Sequence, residues 1–276
     1  MNEHFQIMEK VSVASNIIYK SIDSINLALD VYFPAKNLGE DPWNKISEDF
    51  KPTLIYFHGG GWIEGDRISR FLGLLPFLEK GWCVVNVDYR LLSDTDLIGS
   101  LNDCIDATNW VKTNASIYKF DLEQIYLSGE SAGGHLALLT GMFKDKEIEG
   151  VGIHKQMNKI KGIINWYGIT DMEPAIKFWN DSAYTNLILD KWNGNVTEYY
   201  KATSPINHIS EDTPPIITIH GDADINVEFS QAMALHEQLD AGNIKNQLIR
   251  VKGKKHGNFS ADELANIFDT IWSFLE

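Results

Sequence analysis

Residues 124–139, Q-I-Y-L-S-G-E-S-A-G-G-H-L-A-L-L, constrain what this 276-residue chain can fold into more than any other stretch. A β-branched and aromatic run, Ile125-Tyr126-Leu127, meets Gly129-Glu130-Ser131-Ala132-Gly133, and a helix-forming apolar stretch follows at once. Glycines two before and two after a serine suit a sharp strand-to-helix turn, because side chains there would have no room beside its backbone. Ser131 would then stand at the tip with its hydroxyl exposed, and the N–H of Ala132 would open the helix. A G-x-S-x-G alone recurs by chance, and its ordinary reading is a tight turn with a capping serine. The apolar strand before it and Gly134-His135-Leu136-Ala137 after it favour a nucleophile elbow.

Strands and helices alternate along the rest of the chain. Residues 1 to about 20 show no strong period and read as an arm or part of a cap over the site. Residues 26–33 partly alternate and stop at Pro34, as a strand near a sheet edge would. The polar run 35–52 reads as a loop or hairpin connection. Residues 53–57 form a buried strand that enters His58-Gly59-Gly60-Gly61-Trp62. Three successive glycines are costly unless the backbone itself must be approached, and such a turn can aim N–H groups at a developing oxyanion. A flexible turn is the alternative, and the elbow downstream decides against it. His58, closing a strand, is assigned to shaping the loop.

Helical spacing follows over 68–80, then a strand over 82–90. A helical stripe runs over 96–112, and the elbow helix extends to about Phe143. Residues 161–168 form another buried strand. Between 171 and 209 the pattern dissolves into a segment rich in aromatics: Phe178, Trp179, Tyr184, Trp192, Tyr199 and Tyr200. Such an insert forms either a lid and substrate wall or packing helices whose aromatics are core. A strand then ends in His220-Gly221-Asp222-Ala223-Asp224, and a helix runs from about Val227 to Asp240. The last strand, 247–251, leads into a loop with His256-Gly257. Ser260 and Glu263 have capping-box spacing at the start of a terminal helix. The pattern implies a mainly parallel sheet covered on both faces. No composition break divides it, so one domain over 1–276 is expected, with cap elements at about 1–20 and 171–209.

A serine hydroxyl needs a base within hydrogen-bond reach, and the base needs an orienting acceptor. His256 fits the base by its place on the loop after the last strand, whereas His220 precedes the acidic turn. Asp224 lies far enough into its turn to reach over the sheet to the base. Asp222 is the alternative acid, though it more naturally caps the turn through its own backbone.

Lys and Arg number 24 against 38 Asp and Glu, a net charge of −14, which argues against nucleic acid and anionic membranes as partners. No run of apolar residues is long enough to insert in a membrane, and no secretory signal is visible, so a cytoplasmic location is expected. Cys83 and Cys104 read as buried free thiols, in keeping with a reducing compartment. Neither has metal-ligand spacing. No metal and no cofactor is expected.

Taken together, His58-Gly59-Gly60-Gly61-Trp62, Gly65-Asp66-Arg67, Val87-Asp88-Tyr89-Arg90-Leu91, Gly129–Gly134, His220–Asp224 and His256-Gly257 make the chain resemble the α/β-hydrolase superfamily. It is most similar to hormone-sensitive-lipase-like esterases and to carbohydrate acetyl and feruloyl esterases. The resemblance implies an α/β-hydrolase fold with a small lid insert. Ser131 would be the nucleophile, Asp224 the acid and His256 the base, with an oxyanion hole from the N–H groups of Gly59, Gly60 and Ala132. Trp62, Glu130, Trp166 and Trp179 are the candidate substrate-binding residues. The expected partner is a small ester with a short acyl group, on an acetylated or feruloylated sugar or an aryl alcohol. Glu130 stands where the lipase-like members have Asp, and the N-terminal segment is short for their cap, which favours the carbohydrate-esterase branch. An arylformamidase-type amidase and a non-catalytic ligand binder are the alternatives. A homodimer is compatible with the fold, but no seam is legible.

Overall fold

Runs such as Leu54-Ile55-Tyr56-Phe57 have no polar face, and a strand can bury such a run only where both sides of its sheet are covered. The computed structural model, which describes residues 11–34, 49–143, 154, 159–192 and 194–276, shows this arrangement. Eight strands form one sheet: β1 Val11–Ile22, β2 Ile25–Pro34, β3 Lys51–Phe57, β4 Cys83–Val87, β5 Phe120–Glu130, β6 Ile160–Trp166, β7 Ile216–Gly221 and β8 Asn246–Val251. Their order is β1-β2-β4-β3-β5-β6-β7-β8. β1–β2 and β2–β4 pair antiparallel, and every other neighbouring pair is parallel. The helices are α1 Leu75–Glu79, α2 Leu97–Thr113, α3 Ala115–Tyr118, α4 Ala132–Met142, α5 Met172–Trp179, α6 Ser182–Leu189, α7 Val196–Thr203, α8 Phe229–Ala241 and α9 Ala261–Leu275.

Because successive side chains of a strand point to opposite faces, one apolar run feeds two cores. Ile55 and Phe57 of β3 join the core under α2, α4 and α8, with Leu101, Leu136 and Leu235. Leu54 and Tyr56 join the other core under α1 and α9, with Phe77, Ile267 and Ile271. Helix α4 is buried nearly all round, which explains why its sequence, AGGHLALLTGM, shows no polar stripe. Helix α9 has the capping box expected of Ser260 and Glu263.

Two expectations change. Residues 11–20 are not a cap: they belong to β1, the outermost strand, which is tied to the body by Tyr19 Oη donating to the Asp88 carbonyl (2.7 Å) and by Lys20 against Asp103 (2.6 Å). Its period was hidden because register shifts between Ala14 and Ile17 and between Ile18 and Lys20 break the alternation. Residues 1–10, and 35–48 of the expected loop, lie outside the described residues. The helix expected over 68–80 is only a 3-10 turn, Phe71–Leu74, followed by α1, with proline in its first turn.

The Asp-Arg motifs prove to be braces. Arg67 pairs with Asp30 (3.0 Å) and Asp88, and Arg90 grips Asp103 through Nε (2.7 Å) and Nη2 (3.0 Å). These ties fix the loop after β3 to the sheet and the loop after β4 to α2. Strands β3, β5, β7 and β8 run parallel, so their carboxyl ends open on one edge, and the residues singled out from the sequence follow those ends.

Candidate active site

Ser131 follows β5 directly and has φ 54° and ψ −119°, a conformation an L-residue holds only under strain. Two backbone bonds impose it. The Ser131 N–H donates to the Trp166 carbonyl of the neighbouring strand (2.9 Å), and its carbonyl accepts from the His135 N–H in the first turn of α4 (3.0 Å). At Gly133 a Cβ would run into the carbonyl oxygens of Phe57 and His58, so only glycine lets the helix approach β3 this closely.

The loop after β3 turns back on itself. The Gly60 carbonyl accepts from the N–H groups of Ile63 (3.0 Å) and Glu64 (3.1 Å), with Gly60 at φ 114°. A side chain at Gly60 would collide with the Glu64 carbonyl. Tyr89 donates to the His58 carbonyl (2.7 Å), and its ring stacks on the His58 imidazole at 4.3 Å. His58 Nδ1 contacts the Gly59 carbonyl (2.7 Å), and burial lowers its pKa. These contacts suit a loop-shaping histidine. Among the described residues, no backbone hydrogen bond in the turns and loops uses the N–H of Gly59, Gly60 or Ala132.

Beyond β7, the Asp224 carboxylate is fully engaged. Its Oδ1 accepts from the N–H groups of Asn226 (2.8 Å) and Val227 (3.1 Å). Its Oδ2 faces His256 Nδ1 at 2.6 Å and His220 Nε2 at 3.2 Å. Burial would raise its pKa, but the hydrogen bonds from His220 and His256 outweigh it and hold the carboxyl well below its usual range. Asp222 is turned away: it accepts from Arg250 Nε (2.7 Å) and the Gly253 N–H (2.6 Å).

Ser131, His256, Gly59 and Gly60 border a cavity of about 480 Å³. A larger one, about 910 Å³, lies at the amino ends of the strands around Lys159, Lys161 and Pro215 and touches none of these residues. The smaller cavity is walled by Trp62, Trp179 and Tyr184. Trp179 packs edge-on against Trp62 (6.2 Å) and Tyr184 (5.1 Å), and donates through Nε1 to the Asn226 carbonyl (2.7 Å). Tyr184 Oη donates to the Gly61 carbonyl (3.0 Å), which ties α6 to the glycine loop. The aromatic insert therefore does both jobs: Trp179 and Tyr184 form wall, while Tyr199 is wholly buried core.

One of the expected substrate contacts is corrected. Trp166 does not line this cavity. Its indole lies on the other face of the sheet, against Phe268 (5.8 Å) and Phe259 (6.4 Å), because neighbouring positions on a strand point to opposite sides. Glu130 does border the cavity, but both its oxygens are taken, Oε1 by Arg70 Nε (2.6 Å) and Oε2 by Tyr167 Oη (2.7 Å). Sequence reasoning missed Arg70, Tyr167 and the position of His220. Tyr167 is held at φ 42°, its ring lies 4.5 Å from the His256 ring, and burial and the Glu130 carboxylate push its pKa well up. It follows β6 at the same sheet edge as Ser131 and Asp224, the one signal that could have marked it.

Residues 29–239 match the BD-FAE family. The chain belongs to the BD-FAE family. Among curated relatives it is similar to the isoprenylcysteine alpha-carbonyl methylesterase ICME of Arabidopsis thaliana, 26% identical over 95% of this chain and 62% of the relative. It is also similar to the probable carboxylic ester hydrolase LipM of Mycobacterium tuberculosis, 27% identical over 72% of this chain and 48% of the relative. The chain thus spans about half to three fifths of the length of these curated relatives. Among solved structures, the esterase Est2 of Thermogutta terrifontis matches with TM-score 0.75 and 26% identity over 97% of this chain and 92% of that one. A carbohydrate esterase from gut microbiota shares the fold, with TM-score 0.77 and 24% identity over 97% of both chains. This BD-FAE member has the α/β-hydrolase fold, and among its described residues no helix is long and apolar enough to cross a membrane.

Proposed function

We propose that the chain is a serine carboxylic-ester hydrolase with Ser131 as nucleophile, His256 as general base and acid, and Asp224 as the group that orients the imidazole and stabilises the imidazolium as it forms. The observation that carries this reading is the Asp224–His256 hydrogen bond at 2.6 Å, on a cavity that also takes in the strained Ser131. With Nδ1 held by Asp224, Nε2 of His256 is the nitrogen left to take the Ser131 proton as the hydroxyl attacks the ester carbonyl. The N–H groups of Gly59, Gly60 and Ala132 receive the oxyanion. His256 returns the proton to the leaving alkoxide, and a water activated by the same nitrogen frees the acid. Membership of BD-FAE and the esterase names of the relatives support hydrolysis of esters, and do not favour the arylformamidase alternative.

The substrate proposed is a small ester, acetyl to butyryl on the acyl side, with acetylated or feruloylated sugars as the alcohol-side candidates. A cavity of about 480 Å³ suits a ligand of that size, and the likeness to a carbohydrate esterase points the same way. The buried free thiols of Cys83 and Cys104 support a cytoplasmic setting. A single domain and a homodimer remain part of the proposal; sedimentation at working concentration tests the latter. The deciding experiment is hydrolysis of p-nitrophenyl esters from acetate to decanoate, with Ser131→Ala alongside. Turnover of the short esters that vanishes in the variant is the expected result. Absence of turnover at every chain length, in folded protein, sinks the proposal.

A further inference from the structure

His220 has no part in the scheme above, yet its side chain is wholly buried beside Asp224. Its Nε2 lies 2.9 Å from the Val227 carbonyl and 3.2 Å from Asp224 Oδ2. A carbonyl can only accept, so Nε2 is the ring nitrogen that carries hydrogen, and the same N–H leans on the carboxylate. Val227 closes a ring: its N–H donates to Asp224 Oδ1 (3.1 Å) while its carbonyl receives His220. The turn from 224 to 227 is thus pinned at both ends by one imidazole.

The rest of the ring has nothing comparable to gain. Nδ1 is buried with no hydrogen-bond partner among the described residues, and the Phe229 ring stands edge-on at 5.6 Å. An apolar side chain would fill the space without leaving a polar atom unsatisfied, which ordinarily costs free energy. The use of an imidazole here lies at Nε2. Asp222 and Arg250, the charged groups on the adjoining turn and strand, pair with each other at 2.7 Å and leave the carboxylate of Asp224 to the two histidines.

We propose that His220 is a positioning residue: its Nε2–H, shared between Asp224 and the Val227 carbonyl, locks the carboxylate in the orientation in which it holds His256. The proposal rests on the esterase reading above. It makes Asp224 Oδ2 the meeting point of two histidine donors, one facing the cavity and one buried, so that the acid has its own orienting group.

The test compares two polar variants of the full chain. His220→Gln places an amide N–H near the position of Nε2, whereas the shorter His220→Asn withdraws it. With p-nitrophenyl acetate from pH 5 to 9, His220→Asn is expected to lower kcat about tenfold, equivalent to about 1.4 kcal/mol, with KM changed less than about twofold. Its acidic limb moves to higher pH, because a carboxylate with one donor fewer stabilises the His256 imidazolium more strongly. His220→Gln is expected to restore both kcat and the limb. A folded His220→Asn with wild-type kcat and limb overturns the proposal. So do Gln and Asn variants that lose kcat equally with an unmoved limb, since that marks a packing role. If His220→Asn does not fold, His220→Leu replaces it under the same criteria. Ser131→Ala separates the two readings: activity surviving that change overturns the esterase scheme, whereas Ser131-dependent activity that ignores His220→Asn overturns only the role of His220.

Discussion

Replacing Asp224 by Asn should be far more damaging than loss of one charge suggests, because the carboxylate accepts on both oxygens. In one amide orientation the new NH2 faces the His256 and His220 donors, now at 2.6 and 3.2 Å. In the other it faces the N–H groups of Asn226 and Val227, at 2.8 and 3.1 Å. Either way two donors meet a donor. His256 can relieve the first clash by moving its proton from Nδ1 to Nε2, the tautomer that cannot accept from Ser131. A triad locked in that tautomer loses about 10⁴ in kcat, or about 5.5 kcal/mol of transition-state stabilisation. Each donor left unmatched costs a further 1–3 kcal/mol or so of stability. Steady-state hydrolysis of p-nitrophenyl acetate, read beside thermal melting, checks both figures. Asp222→Asn is the control, since it disturbs only the contacts to Arg250 and Gly253, and its kcat should stay within about threefold of wild type. A folded Asp224→Asn within tenfold of wild type, or an Asp222→Asn as impaired as it, would refute the reasoning.

Gly60→Ala, which places a methyl against the Glu64 carbonyl at φ 114°, is expected to lower kcat by about 10²–10³ in whatever fraction folds, as measured by active-site titration. Tyr167→Phe removes the bond to Glu130 but keeps the ring against His256, so it should cost about 1–2 kcal/mol in urea unfolding while kcat falls only severalfold. Burial pushes His135 down to about 4, below its unfolded value near 6.5, so the native state binds fewer protons. The stability it contributes is complete above pH 6.5 and is lost as pH falls through 4, up to about 3 kcal/mol. His135→Gln, which can keep the bond to the Thr203 carbonyl, should flatten the fall in urea midpoint between pH 7 and 4.5, and an unchanged slope would count against this account.

The legible parts of the chain were those where local chemistry and the fold agree. β3 reads as a buried run and β5 as an apolar strand leading into the turn, and the glycines of that turn sit where backbone meets backbone at Phe57. The proposed choice of Asp224 over Asp222 rests on its place in the turn, and it is supported by Asp224 facing His256 while Asp222 pairs with Arg250. What was not legible depends on pairing across the sheet. β1 lost its alternation to register shifts that only its partner strand makes visible. Trp166 is not a wall of the cavity because the face it takes is decided by strand parity, which the sequence does not show without its register. Arg70 and Tyr167 come from separate elements and meet only through Glu130, a contact with no sequence period. His220 was set aside by chain order, which speaks to the base and says nothing about what holds the acid.

The irregular course of β1 has a consequence for how copies of this protein meet. An outermost strand offers a row of unpaired N–H and C=O groups, a template on which another chain's strand can build. β1 breaks that row twice, with Asn16 at φ 57°, and its Lys20 is drawn toward Asp103 and Asp106. A strand bent in this way cannot dock flat along a second copy, and a net charge of −14 on each chain makes the approach costlier at low salt. Among the described residues the β1 side of the sheet is thus a poor template for growth, which guards a twelve-residue strand against fibrous self-association.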